Sequence, residues 1–365
     1  MALKCGMVGL PNVGKSMLFN ALSNGNAASA NFPFCTIEPN IGVAAVPDNR
    51  MELLASWAQS KQIVPTYIEF LDIAGLVKGA HEGEGLGNKF LSHIREVDAI
   101  VHVIRCFEDD NIIHVAGSID PIFDKEIIDH EMRCKDVDTL TKRVVKVEKL
   151  AKNGDLLQQQ EYSLLKYYLT ELAKGKQARQ IEIDHAQQAI VASWQLLTAK
   201  PVIYFANVDE ATLLGKANPH LIDLQEAASK EQIDVIVGCA ALEAQMNDLT
   251  KDEKQFFLAA YGLEAAGLEQ LIRSAYAILT LITYFTVGPQ EVRAWTITKG
   301  TKAPQAAGVI HTDFQRGFIK AEVISFEDYQ SFKSETGCRE AGKVRIEGKE
   351  YVVQDGDVML FRFNV

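Results

Sequence analysis

The sequence predicts an α/β sheet domain with an inserted antiparallel helical hairpin, followed by a smaller α+β domain. Three observations predict it. Strand-length apolar runs alternate with helical patterns over residues 1–127 and again over 200–280. A heptad-like stripe fills 128–199, and from Thr283 short strands punctuated by glycines take over, giving a third region at 281–365. At 365 residues and 47% hydrophobic content, the chain has length and apolar material for two or three cores.

Composition narrows the function. A formal charge of −11 argues against coating nucleic acid by bulk attraction, although local basic patches remain open. The six cysteines are scattered with no C-x-x-C pair, so neither a zinc site nor a disulfide framework is indicated, and they read as reduced thiols. No apolar run is long enough for a signal peptide or a membrane span. The expectation is a soluble cytoplasmic monomer.

The first strand, Leu3 to Val8, runs into Gly9-Leu10-Pro11-Asn12-Val13-Gly14-Lys15-Ser16 and then into the helical Met17-Leu18-Phe19-Asn20. The spacing is G-x-x-x-x-G-K-S/T, a phosphate-binding loop between strand and helix. The glycines let successive N–H groups converge on an anion, and the helix opening near Lys15 turns its positive dipole end on the same anion. Lys15 reaches the β- and γ-phosphates, and the Ser16 hydroxyl suits Mg²⁺.

The next segment, Asn31 to Asn40, has two prolines and reads as a loop. Its Thr36 is either a second hydroxyl for Mg²⁺ or an ordinary surface threonine. Ile41 to Val46 and Tyr67 to Leu71 read as strands, the second ending at Asp72-Ile73-Ala74-Gly75. In this order after a phosphate loop, Asp72 is a metal-side carboxylate and the Gly75 N–H a γ-phosphate sensor. The glycine-rich stretch Leu76 to Gly87 reads as a nucleotide switch. Leu76 stands where Ras-like enzymes carry the glutamine that orients water, so another polar group must serve or hydrolysis is very slow. The candidates are His81, His93, His102 and His114. His102 lies inside the apolar strand Ala99 to Ile104, which favours a structural role. His114 follows that strand's end, on the edge where open α/β sheets bind ligands.

From about Ile127 to Lys200 the pattern is helical. Val137, Leu140, Val144, Val147 and Ala151 form a seam that breaks at Asn153-Gly154, and Leu157, Leu164, Tyr168 and Leu172 resume it. Lys142, Arg143, Lys146, Lys149 and Lys152 make a basic strip, either a solvated face or a contact for an RNA backbone. Strand Pro201 to Ala206 ends in Asn207-Val208-Asp209-Glu210, where GTPases carry N-K-x-D. Val208 replaces the lysine that covers the base. Glu210 replaces the aspartate that accepts two guanine hydrogen bonds, and its extra methylene weakens that pairing, so ATP is expected to bind at least as well as GTP. Strand Val235 to Gly238 leads to Cys239-Ala240-Ala241, whose backbone is expected to line the base pocket. A helix carrying Leu268, Leu271, Ile272, Ala275, Leu279 and Ile282 closes the nucleotide domain. Strands are then expected at Val292 to Ile297, Phe318 to Ile324, Tyr351 to Val353 and Met359 to Phe363, with His311 structural.

The segments GLPNVGKS, NFPFCTIEPN, DIAGLVKGAHEGEGLGN, NVDE, APQAAGVIHTDFQRGFIKAEV and DGDVMLFRFNV resemble the YchF, or Obg-like ATPase, family over essentially the whole chain. That resemblance implies a P-loop NTPase domain, an inserted helical hairpin and a C-terminal TGS domain of β-grasp fold. It also implies Mg²⁺-dependent ATP hydrolysis and association with ribosomes, on the large subunit or through RNA. Carried onto this chain it marks Asn12, Val13, Gly14, Lys15, Ser16 and Met17 for nucleotide, and Ser16 and Thr36 for Mg²⁺. The segment CFEDDNIIHV raises His114 above the other histidines. Met17 departs from the usual threonine and is expected to point into the helix with little effect. Asn12 resembles the asparagine of relatives that use K⁺ beside the β–γ bridge, which makes K⁺ a candidate cofactor. Two other readings stand beside the ATPase: a GTP-preferring hydrolase, and a nucleotide-gated RNA or ribosome scaffold with incidental hydrolysis.

Overall fold

The computed structural model describes residues 3–24, 40–73, 86–114 and 117–364. Its strands in chain order are β1 (Lys4–Val8), β2 (Ile41–Ala45), β3 (Gln62–Val64), β4 (Tyr67–Asp72), β5 (Ala99–Arg105), β6 (Val202–Asn207), β7 (Val235–Gly238), β8 (Leu281–Val287), β9 (Glu291–Thr298), β10 (Phe318–Ile324), β11 (Arg345–Glu347) and β12 (Val358–Phe363). They form two six-stranded sheets.

The first sheet has the order β2-β4-β1-β5-β6-β7. The pairs β1–β4, β1–β5, β5–β6 and β6–β7 are all parallel. Strands β5 and β6 are buried at every residue. That explains their unbroken apolar sequence, since a parallel strand covered on both faces has no solvent side to mark. The order reverses around β1, which leaves a crevice at its carboxyl end for a ligand.

The hairpin consists of helices Pro121–Ala151 and Leu156–Ala173. The first starts some residues earlier than its apolar pattern indicates, because Asp120 caps it by accepting from the Ile122 and Phe123 N–H groups and Pro121 occupies its first position. Leu140, Val144, Val147 and Ala151 are buried, as are Leu164, Tyr168 and Leu172. Leu157 departs from the expected seam: it is 72% exposed at the tip of the hairpin, close in sequence to the Asn153-Gly154 turn. Three of the five basic-strip residues hold carboxylates, Lys142 with Asp138, Arg143 with Glu161 and Lys152 with Glu148. Among the described residues, no helix is long and apolar enough to cross a membrane.

The second sheet has the order β11-β10-β12-β8-β9-β3. Helix Ala303–Ile310 packs on one face, where Ala303, Ala306 and Ala307 meet Tyr284, Val323 and Phe361 in one apolar cluster. A second cluster joins Met51, Leu54 and Ala55 to Phe285, Val292, Ala294 and Val358. Tyr351 to Val353 is not a strand, since its pairing is a single bridge from Val352 to Lys302.

The chain divides into two compact units, Met1–Val43 with Glu69–Leu271, and Ala44–Ile68 with Ile272–Val365. This division does not separate 128–199 from the sheet domain, and it places residues 44–68 with the C-terminal unit. The cause is pairing and burial together. Strand β3 lies parallel to β9, and the helix Arg50–Ala58 buries its apolar face on β8 and β9. Arg50 secures the segment: it pairs with Asp48 at 2.7 Å and Asp355 at 2.7 Å, with its guanidinium 5.1 Å from the Phe285 ring centroid. Substituting Arg50→Ala is expected to cost roughly 1–3 kcal/mol, read as a lower denaturant midpoint, with Arg50→Lys recovering part because an ammonium cannot fork to both carboxylates.

Candidate functional site

Strand β1 delivers the chain to the phosphate loop with its apolar residues buried. Gly9 passes so close to β5 that a Cβ there would lie 2.7 Å from the Val103 carbonyl. The loop needs left-handed backbone twice, at Asn12 (φ 64°) and Gly14 (φ 89°). At Gly14 a side chain would also strike the Asn207 amide. The helix Lys15–Asn24 then begins, with the Leu18 N–H on the Gly14 carbonyl at 3.0 Å. Lys15 is buried and its ammonium is ion-paired with Asp72 at the end of β4. Ser16 is exposed beside it.

These groups open onto a cavity of about 950 Å³. Asn12, Gly14, Lys15, Ser16 and Met17 line it together with Asp72, and so do Asn207, Val208, Glu210, Ala240 and Ala241. The structure thus brings most of the sequence-predicted residues to one place. Val13 is buried and is not among the lining residues, its carbonyl accepting from Asn207. One correction applies. Met17 does not point into the helix core: it is 47% exposed and lines the cavity. Thr36, Gly75, Leu76 and His81 lie outside the described residues.

On the opposite wall Asn207 is buried with both ends of its amide engaged. Its Nδ2 donates to the Val13 carbonyl at 2.9 Å, and its Oδ1 accepts from the Ala240 N–H at 2.9 Å. Asp209 caps the short helix Glu210–Leu213 by accepting from both the Thr212 N–H and hydroxyl, which holds its carboxyl below the usual range. Asp209 and Glu210 both line the cavity, and Tyr261 donates to Glu210 at 3.2 Å.

The segment after β5 supplies lining that the sequence reading did not identify: Phe107, Glu108, Asp109 and Ile112. Position at the carboxyl edge of the sheet was the available signal, and it drew attention to His114 alone. His114 is buried, its Nε2 lies 2.8 Å from Asp124 Oδ2, and it lines an adjoining hollow rather than the main cavity. The residue before it is tied to the phosphate loop, since Asn12 Nδ2 donates to the Ile113 carbonyl at 3.0 Å. His102, in β5, is structural as expected, edge-on to Tyr204 of β6, with burial pushing its pKa down to about 4. His93 is half-buried on the helix Leu86–Glu96. His311 caps the helix Thr312–Arg316 through the Asp313 N–H.

A mainly parallel sheet with a phosphate loop after β1, a carboxylate at the end of β4 and a base-side loop after β6 defines a P-loop nucleoside-triphosphate hydrolase. Within that class, the chain belongs to the YchF family. It is 52% identical over 366 residues to the ribosome-binding ATPase YchF of Bacillus subtilis, with all of both chains covered. It is 51% identical to the Haemophilus influenzae protein of that name, also end to end. Obg-like ATPase 1 of Gallus gallus is 45% identical over all of this chain and 93% of its own. The solved structure of the Schizosaccharomyces pombe YchF GTPase superposes with a TM-score of 0.90 at 40% identity, covering 99% of this chain and 97% of that one. Residues 4–148 match the family described as 50S ribosome-binding GTPase, and 281–364 match the YchF-type GTPase C-terminal family, described as a protein of unknown function.

One buried acid behind the base-side loop gives a pH signature. Glu243, on the helix Ala240–Met246, accepts from the Gly267 N–H at 2.6 Å. Burial pushes its carboxyl from 4.5 up to about 7, against the opposing pull of the Gly267 and Leu268 N–H groups. Between these values the folded chain holds more proton than the unfolded chain, so stability is full below the window and falls as pH rises through it. Unfolding free energies from denaturant titrations at about pH 5 and about pH 8 are expected to differ by up to a few kcal/mol from this group, and Glu243→Gln is expected to flatten that difference.

Proposed function

We propose that the protein is a magnesium-dependent ATPase that acts as a nucleotide switch on the ribosome. The observation that carries this reading is one cavity lined both by the phosphate-side groups Lys15, Ser16 and Asp72 and by the base-side groups Asn207, Val208 and Glu210. The names of the bacterial relatives supply substrate and partner together, and the 50S description of the family matching residues 4–148 favours the large subunit.

In the described arrangement Asp72 neutralises Lys15. ATP offers that ammonium the β- and γ-phosphates, and the exchange frees the Asp72 carboxylate. Ser16, Thr36 and Asp72, the last through water, would hold Mg²⁺. A hydroxyl-and-carboxylate donor set fits a hard ion that takes its other ligands from phosphates and water. No cluster of three or more His, Cys, Asp or Glu able to hold a metal occurs among the described residues, and this donor set requires none. The chemistry a bound magnesium ion supplies is neutralisation of charge on the transferred phosphoryl group. Lys15 adds charge on the same oxygens, the loop N–H groups orient them, and the Gly75 N–H reads the γ-phosphate. His114 takes the water-positioning role that Leu76 cannot fill, which requires it to leave Asp124.

The base reading follows from Asp209 being spent as a helix cap while Glu210 faces the cavity. Side-by-side calorimetry with Mg²⁺ is expected to give ATP at least the affinity of GTP; GTP much the tighter ligand would establish the GTPase reading, which the name of the S. pombe YchF GTPase favours. Asn12 keeps its amide oxygen for a K⁺ ion, and equal turnover in KCl and NaCl would remove that role. On the hairpin, Lys146 and Lys149 are exposed basic-strip residues for RNA contact; Lys142 and Lys152 are also exposed but ion-paired, and Arg143 is ion-paired to Glu161. Ribosome-stimulated turnover separates the switch from a scaffold with incidental hydrolysis.

His114→Ala is expected to lower turnover about tenfold or more while nucleotide affinity stays within about twofold. Loss of affinity instead would make His114 structural, and His114→Asn, which retains a donor for Asp124, serves as the folding control.

A further inference from the structure

We infer that Arg105 positions the base-facing wall of the nucleotide cavity and thereby sets adenine-nucleotide affinity. The inference rests on the proposed nucleotide-binding function and takes the base to lie between residues 207–210 and residues 107–112, both of which contribute to the lining of the same cavity.

Arg105 is the last residue of β5 and is 1% exposed, among the largest fully buried side chains. A buried guanidinium is costly unless its donors are used. Here they go to main-chain carbonyls of a single segment. Nε donates to Phe107 at 3.1 Å, one terminal nitrogen to Ile112 at 3.0 Å and the other to Asp109 at 3.2 Å. The Phe107 ring centroid lies 4.4 Å from the guanidinium carbon, within cation–π range.

The consequence is a segment without regular structure that is nevertheless held at three points by one planar fork. Within the segment the main chain makes only the turn bond from the Ile112 N–H to the Asp109 carbonyl, so the fork of Arg105 is its main internal tie. This segment contributes Phe107, Asp109 and Ile112 to the cavity, and its continuation at Ile113 receives the Asn12 amide from the phosphate loop. Lysine would supply one point charge and no fork. Arg105 does not itself line the cavity but holds residues that do, so it is a positioning residue that acts through the backbone it gathers.

The test compares the full chain with Arg105→Lys and Arg105→Met, titrating ATP and inorganic tripolyphosphate in the presence of Mg²⁺ and measuring turnover. ATP uses the base wall and the phosphate loop, whereas tripolyphosphate uses the loop alone. For Arg105→Met, ATP affinity is expected to fall about tenfold or more and tripolyphosphate affinity to change less than about twofold, with KM rising more than kcat falls. Arg105→Lys is expected to lie between, and it carries the test if Arg105→Met fails to fold. Unchanged ATP affinity in the folded variants, or ATP and tripolyphosphate weakening in parallel, would overturn the inference. A wild-type chain that binds ATP no tighter than tripolyphosphate would instead overturn the base-wall reading, and the role of Arg105 with it.

Discussion

The side-chain amide of Asn207 holds the two sides of the nucleotide site together. One end takes the carbonyl of Val13 and the other the N–H of Ala240, so a phosphate loop and a base-side loop far apart in the chain share one rigid, buried link. Both backbone groups are away from water and would cost roughly 1–3 kcal/mol each if left unpaired. Much of the local sequence answers to this amide. Gly14 has no room for a side chain because the amide occupies that space. Strand β7 must lie beside β6 so that the Gly238 carbonyl receives the Val208 N–H and Ala240 arrives in reach. The apolar burial of β1, β5 and β6 fixes the strand ends from which these loops depart.

How much of this was legible in the sequence depended on how far apart the interacting residues are. The phosphate loop was readable because its chemistry is local: glycine torsions, a helix start, a lysine and a hydroxyl within eight positions. The parallel strands were readable because burial on both faces leaves an unbroken apolar run. Residues 44–68 were not. Strand β3 has three residues, two of them exposed, and its partner β9 lies more than two hundred positions away, so no local pattern assigns it to that sheet. Tyr351 to Val353 carried strand-forming residue types without a neighbour able to pair beyond one bridge. Of the candidate site, Lys15, Ser16, Asp72 and Glu210 were legible by motif. Phe107 and Ile112 were not, because what makes them lining residues is the fork of Arg105, and an arginine closing an apolar strand looks like any polar strand end.

Charge in this protein is mostly consumed where it is made. Lys15 is held by Asp72, Asp209 by Thr212, and much of the hairpin's basic strip by its own carboxylates. An ammonium already paired inside a cleft discriminates among anions, since a newcomer must outcompete a carboxylate in place; a polyphosphate with several oxygens does so and a single weak anion does not. The overall negative charge and the local pairing therefore act in the same direction, towards selective rather than bulk attraction.

The passage of residues 44–68 through the C-terminal unit has a consequence for how this architecture is inherited and altered. The stretch lies in the sequence between Thr36 and Asp72, so the second unit is built from two separate pieces of chain and is not a simple C-terminal addition. Removing the chain after residue 280 would strand the apolar side chains of Met51, Leu54 and Ala55 and the pairing edge of β3. The two units are thus bound to be gained, lost and exchanged as one piece, and a recombination point anywhere after the hairpin yields an incomplete C-terminal sheet, which fits a family whose relatives match this chain from end to end.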